Sequence, residues 1–256
     1  MRLLVLITVT LLTVSCSSKN TPEQPLNETF NDTFHSGFAA ALNQLDNADI
    51  VLGDGVGDTD AVRVLYVGYP RGSERVLFNQ PLYYRSDYYE LSFDVKFCDN
   101  FDFARGGKLH GLGPAQPVTG GNQVPADGWS ARAMWGTGGI LKTYIYHQNL
   151  NKKYGDTRVA KGFRFVPGQY YHVTYKLQLN QPTQVSNGWF SISIDGKERV
   201  RQNNVQFRSV DTPESEIQTL LFNTFHGGSD PSWAPRNADK SYKTDCALFD
   251  NFRVKR

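Results

Sequence analysis

The sequence predicts an all-β fold, a jelly-roll β-sandwich of two antiparallel sheets with a concave substrate groove. Three observations predict it. From Val62 onward, short runs alternate large apolar or aromatic residues with polar ones, the period of two that turns one face of a strand to a core. Gly, Asn, Asp and Pro punctuate these runs, and aromatic residues make up 13% of the chain, ample filling for the layer between two sheets. No stretch keeps a helical apolar period for three turns, the nearest being a weak one from Phe34 to Leu45.

In chain order, Met1 and Arg2 precede an apolar run from Leu3 to Val14 broken only by threonines. That core is too short for the ~20 residues of a bilayer-crossing helix and reads as a secretory signal over residues 1–15. Thr13, Val14, Ser15 and Cys16 resemble a lipobox, which would lipidate Cys16; the alternative is plain secretion with cleavage nearby. Either reading exports the chain, and the first anchors it to the bacterial cell envelope, at the outer membrane, through Cys16 alone. Residues 16–35 are rich in Ser, Asn, Thr and Pro and predict a flexible tether. Residues 36–256 then form one domain, a length that a single large all-β domain accommodates. No second linker or repeat interrupts it, and a monomer is expected.

The clearest strands run from Tyr89 to Phe97, from Tyr171 to Leu179 and from Trp189 to Ile194. Asp195 and Gly196 supply a two-residue hairpin turn, with Lys197 to Arg201 returning. Cys98 and Cys246 are the two cysteines left after Cys16; in an oxidising compartment they permit a disulfide, and two buried free thiols are the other reading.

A sheet that binds a polymer on one face shows its functional residues as i, i+2 pairs. Lys108 with His110, Ser130 with Arg132, and Tyr144 with Tyr146 are such pairs, polar or phenolic where a core strand would be aliphatic. The formal net charge is +2, or +1 once Arg2 leaves with the signal, so overall charge excludes little. Its distribution says more. Between Trp129 and Arg164 stand Arg132, Lys142, Lys152, Lys153, Arg158, Lys161 and Arg164 against Asp156 alone, interleaved with Trp129, Trp135, Tyr144, Tyr146 and Tyr154. Such a strip suits a polyanion. For an exported chain an acidic polysaccharide fits better than nucleic acid, which is not expected as a partner. Arg105, Trp129, Trp135, Lys142, Gln148 and His226 are the expected substrate-binding residues around the three pairs.

Gly106, Gly107, Lys108, Leu109, His110, Gly111 and Leu112, then the run from Trp129 to Trp135, then Tyr144, Ile145 and Tyr146, resemble the core of polysaccharide lyase family 14, the alginate and glucuronate lyases. Pro167, Gly168 and Gln169, the run from Thr224 to Gly228, and the closing Phe249, Asp250, Asn251 and Phe252 agree. The chain departs from that pattern at His110, where the family usually has proline, and at His226, where phenylalanine is common. The resemblance implies a lyase that cleaves a uronate-containing glycan, alginate or polyglucuronate, by β-elimination, with Lys108, Ser130, Arg132, Tyr144 and Tyr146 lining the site.

The chemistry explains those residue types. Removing the C5 proton of a uronate requires its carboxylate to be neutralised, a task for Lys108 and Arg132. Ser130 can hold the sugar in register, and Tyr146 or Tyr144 can protonate the departing O4. The base is either a tyrosine with its pKa lowered by Lys108 or Arg132, or His110, whose ordinary pKa suits the task. A non-catalytic binding lipoprotein for acidic carbohydrate would show the same groove. A retaining glycoside hydrolase would need paired carboxylates, which Glu90 and Asp94 do not supply. No His/Cys/Asp cluster has metal-ligand spacing, so no cofactor is expected, although loops leave room for a structural calcium.

Overall fold

The computed structural model describes residues 26–31 and 37–256. The signal and Cys16 lie outside the described residues, as does most of the expected tether. Among the described residues the strands are β1 (Asn27–Glu28), β2 (Ala48–Val51), β3 (Ala61–Tyr69), β4 (Gly72–Ser73), β5 (Val76–Ser86), β6 (Tyr88–Phe97), β7 (Gly106–Gly113), β8 (Ser130–Gly136), β9 (Ile140–Tyr146), β10 (Val159–Arg164), β11 (Tyr170–Gln178), β12 (Gly188–Ile194), β13 (Lys197–Val205), β14 (Ile217–His226) and β15 (Thr244–Lys255). One α-helix, Phe38–Leu42, falls where the weak helical period lay.

The strands form two antiparallel sheets, as the sequence predicts. One runs β13-β12-β11-β6-β15-β3-β2, with β1 on β15 and β4 on β3; the other runs β10-β9-β8-β7-β14-β5. Alternation decides which side chains meet between them. Leu91, Phe93, Val95 and Phe97 of β6, and Val173, Tyr175 and Leu177 of β11, face Ala131, Ala133 and Trp135 of β8, Ile145 of β9 and Phe222 of β14 in one continuous core. Asp195 and Gly196 make the β12–β13 turn with φ of 51° and 77°, the two positive values that a tight hairpin between right-twisted strands requires.

Part of the expected tether belongs to the fold. Asn27 and Glu28 pair with Arg253 and Phe252 of β15, and Phe30 is fully buried with its ring against Phe38 and Phe252. The polar composition of this segment masks a single aromatic anchor, and β15 beyond Phe249, where its pairing with β3 ends, offers it an open edge.

Cys98 and Cys246 form a disulfide, with Cα atoms 5.3 Å apart and 148 positions apart in sequence. It ties the end of β6 to β15 across most of the chain. Closing so long a loop restricts the unfolded chain, so replacing both cysteines with serine will lower the unfolding free energy by roughly 2–5 kcal/mol. Denaturant unfolding of the oxidised protein and of the double variant checks this, and equal midpoints would contradict it.

Candidate active site

Because β8 alternates, Ala131, Ala133 and Trp135 point into the core while Ser130, Arg132 and Met134 point out. Across β9, Ser130 stands opposite Tyr146, Arg132 opposite Tyr144, and Met134 opposite Lys142. On the other side, Lys108 of β7 stands opposite Met134, and Gly111 opposite Arg132. The outward face of the six-stranded sheet therefore gathers Lys108, Arg132, Met134, Lys142, Tyr144 and Tyr146.

Contacts within this set are close. Lys108 Nζ donates to Met134 Sδ at 2.9 Å and lies 3.6 Å from the centroid of the Tyr144 ring. The Arg132 guanidinium carbon is 5.2 Å from the same centroid. Gly111 is what lets Arg132 lie there, since a Cβ at this position would collide with the Ala131 carbonyl and Arg132 Cγ. The Tyr144 and Tyr146 hydroxyls are 3.2 Å apart, and Tyr146 Oη accepts the Gly121 N–H at 2.8 Å. Gly121 belongs to the segment between β7 and β8, which folds over this end of the face. The same segment is pinned by Ser130, whose hydroxyl donates to the Val118 carbonyl at 2.6 Å.

Electrostatics set the groups apart. Arg132 is almost fully buried and its Nε has no hydrogen-bond partner. Among the described residues, neither Lys108, Arg132 nor Lys142 forms an ion pair with any carboxylate. Burial first, then the charges of Arg132 and Lys142, push the Lys108 pKa well below its ordinary value. Burial, together with the hydrogen bond to Tyr146, pushes the Tyr144 pKa up and keeps its phenol neutral.

The structure places several expected residues elsewhere. His110 does not share the face of Lys108. The register of β7 against β8 pairs Lys108 with Met134 but Gly111 with Arg132, so β7 carries one extra residue in a bulge and the alternation slips. Leu109 and His110 consequently both turn inward. The His110 ring stacks on Phe222 at 4.2 Å and meets Phe93 and Phe249, with no partner for either ring nitrogen. Burial holds its pKa well below the ordinary value, and it has no access to a sugar on the outward face.

Trp129, Trp135 and His226 are likewise fully buried. Trp129 donates to the Ser215 carbonyl at 2.8 Å, and Trp135 packs on Tyr66, Phe97 and Phe101. His226 stacks on Phe101 and bonds through Nε2 to the Asp102 carbonyl; burial lowers its pKa to about 4. The Gln148 amide donates to the carbonyls of Pro125, Gly128 and Phe207, which anchors the loop rather than a ligand. Arg105 is held against Trp233, Ser232 and Asp230. Of the expected binding residues, Lys142 alone joins the cluster. Met134 joins it unforeseen, though its i+2 spacing from Arg132 was a usable signal. Among the described residues no three His, Cys, Asp or Glu side chains are grouped to hold a metal ion, and no helix is long and apolar enough to cross a membrane.

The model of the family described as polysaccharide lyase 14 matches residues 60–246 and so spans the whole of this face. The chain belongs to polysaccharide lyase family 14. It is an enzyme of that class, acting on a uronate-containing polysaccharide by β-elimination.

Solved structures share the fold of this family 14 chain. Alginate lyase Aly36B is 24% identical with a TM-score of 0.68, over 90% of this chain and 96% of its own. The marine alginate lyase of Aplysia kurodai is 20% identical with a TM-score of 0.66, over 91% and 98%. Alginate lyase vAL-1 from a Chlorella virus is 20% identical with a TM-score of 0.62, over 82% and 88%. No curated protein sequence matches the chain.

Proposed function

We propose that the chain is an alginate-cleaving lyase in which Lys108 is the base, Tyr144 the acid, and Arg132 with Lys142 the neutralising cations. The observation that carries this reading is that Arg132 and Lys142, two cations with no acidic partner, stand beside the Lys108 amine and a phenol held neutral. Buried charge without a counterion costs several kcal/mol, so the site is organised for an anion that arrives with the substrate. A uronate carboxylate placed between Arg132 and Lys142 meets that need and acidifies its own C5 proton.

The acid and base follow from environments that move two pKa values in opposite directions. Lys108, unlike an ordinary lysine, is driven toward its neutral amine and can accept the C5 proton. The electron pair left behind forms the C4–C5 double bond, the C4–O4 bond breaks, and Tyr144 supplies the proton to O4. Tyr146, fully buried and held by Gly121, positions Tyr144. Ser130 positions the loop rather than the sugar. This assignment differs from the sequence reading, which placed Lys108 among the neutralising cations and left the acid as Tyr146 or Tyr144.

Two of the solved Aly36B structures hold an alginate tetrasaccharide and an alginate trisaccharide in variants that replace a lysine together with a tyrosine or a methionine. Lysine, tyrosine and methionine are the types that meet here at Lys108, Tyr144 and Met134. The chain is exported, is anchored through Cys16 or released, and acts as a monomer on acidic polysaccharide outside the cytoplasm.

The direct test is incubation with polymannuronate, polyguluronate, polyglucuronate and a neutral glucan while following ultraviolet absorbance of unsaturated uronate. Absorbance should rise on the alginate polymers and stay flat on the neutral glucan. Binding without any rise would favour the non-catalytic carbohydrate-binding reading instead.

A pH dependence follows from the same assignment. The base works unprotonated, so kcat/KM rises with pH through the Lys108 pKa, which lies below the ordinary ~10.4. Lys142→Met removes one repelling charge and raises that pKa, so the acid limb of the profile moves to higher pH. An unmoved limb would separate Lys108 from the proton transfer.

A further inference from the structure

The row of outward residues does not stop at Lys108. Phe225 of β14 is its cross-strand partner, and β14 pairs onward with β5 in a register that sets Thr224 opposite Val76. Continued by one residue, that register sets Phe225 opposite Arg75. The Arg75 guanidinium carbon does lie 5.4 Å from the centroid of the Phe225 ring. Two residues back on β14, Asn223 alternates with the core residue Phe222 and with Thr224, which bonds to buried Tyr66. Asn223 is therefore on the outward face, 5% exposed, and its side-chain oxygen has no hydrogen-bond partner.

We infer that Arg75, Asn223 and Phe225 form a second uronate subsite, on the β14 and β5 side of the reaction centre. The inference rests on the proposed reading of Lys108 as that centre. Adjacent strands stand ~4.8 Å apart, about the length of one sugar in an extended chain crossing the sheet, so Phe225 lies about one sugar and Arg75 about two sugars from Lys108. Phe225 holds the guanidinium by a cation–π contact, which leaves the N–H donors of Arg75 free for a carboxylate. Among the described residues no acid forms an ion pair with Arg75, and neighbouring Glu74 is taken by Asn47. The buried Asn223 side-chain oxygen, between Phe225 and Leu221 and without a hydrogen-bond partner, is the acceptor this subsite holds for a sugar hydroxyl. A uronate rather than a neutral sugar is the ligand that uses all three.

Arg75→Ala tests this in two assays. In turnover of uronate polymer, KM should rise about tenfold, the loss of one charge-assisted hydrogen bond, with the change in KM rather than kcat. Arg75→Lys should fall between wild type and Arg75→Ala, and Asn223→Ala should raise KM in the same direction. Calorimetric titration of a saturated uronate tetrasaccharide into Lys108→Met, with and without Arg75→Ala, should show the same tenfold loss of affinity. Wild-type KM for both Arg75→Ala and Asn223→Ala overturns the subsite while the lyase reading stands. If the wild-type protein releases no unsaturated uronate, the lyase reading falls and the titration alone decides. Binding that depends on Arg75 then upholds the subsite, and binding that is absent or indifferent to Arg75 removes it.

Discussion

Lys108→Arg will lower kcat about 10²–10⁴-fold, the contribution of a positioned general base, and Lys108→Met will lower it as much. The pair separates two roles that one lysine can hold. Arginine keeps the positive charge and even improves its fit to a carboxylate, but with a pKa above ~12 it cannot take up a proton. If Lys108 served to neutralise the substrate, Lys108→Arg would keep most of the activity and Lys108→Met would lose it, with KM rising. If Lys108 is the base, both fail and KM changes little, because Arg132 and Lys142 still hold the carboxylate. Methionine suits the comparison because it fills much of the aliphatic volume of the lysine beside Met134 and Tyr144. Retention of near-normal kcat by Lys108→Arg would return the base to the tyrosine pair.

The fold was legible because its signal is local and repeated. Alternation in β6, β11 and β12 sets each inward residue independently, and Asp195 with Gly196 states its turn in two letters. The site was legible where parity was followed. Ser130, Arg132, Tyr144 and Tyr146 share a face because their spacings are even, and the same rule reaches Met134 and Lys142. It was lost where a composition argument replaced parity. Trp129 and Trp135 stand at odd separations from Ser130 and Arg132, so alternation turns them inward, yet their interleaving with basic residues suggested a binding strip. His110 is a different case. It has the correct even spacing from Lys108, and an extra residue in β7 reverses it, a bulge that the sequence of one strand does not reveal. The cover over Tyr146 depends on Gly121 and Val118, whose roles arise from a loop path that has no periodic signal. Phe30 shows the same limit at the N-terminus, where a polar context hid one buried ring.

Tyr144→Phe will lower kcat on polymer about 10²–10⁴-fold, with Tyr146→Phe costing less. The order follows from position. Tyr144 retains some exposure and lies against both Lys108 and Arg132, whereas Tyr146 is fully buried and spends its oxygen on Gly121. Only Tyr144 can then reach O4, and Tyr146 acts by holding the Tyr144 hydroxyl in place. Phenylalanine keeps the ring on which Lys108 rests, so the base stays where it was and only the proton to the leaving group is missing. That deficit can be tested by changing the substrate. A uronate carrying at C4 a group that departs without a proton, such as an aryloxide of low pKa, bypasses the acid but still needs the base. On that substrate Tyr144→Phe should recover most of its lost rate while Lys108→Arg should not. If Tyr144→Phe stays as slow on the activated substrate as on polymer, the phenol is part of the base. The two proton transfers would then have to be reassigned within the Lys108 and Tyr144 pair.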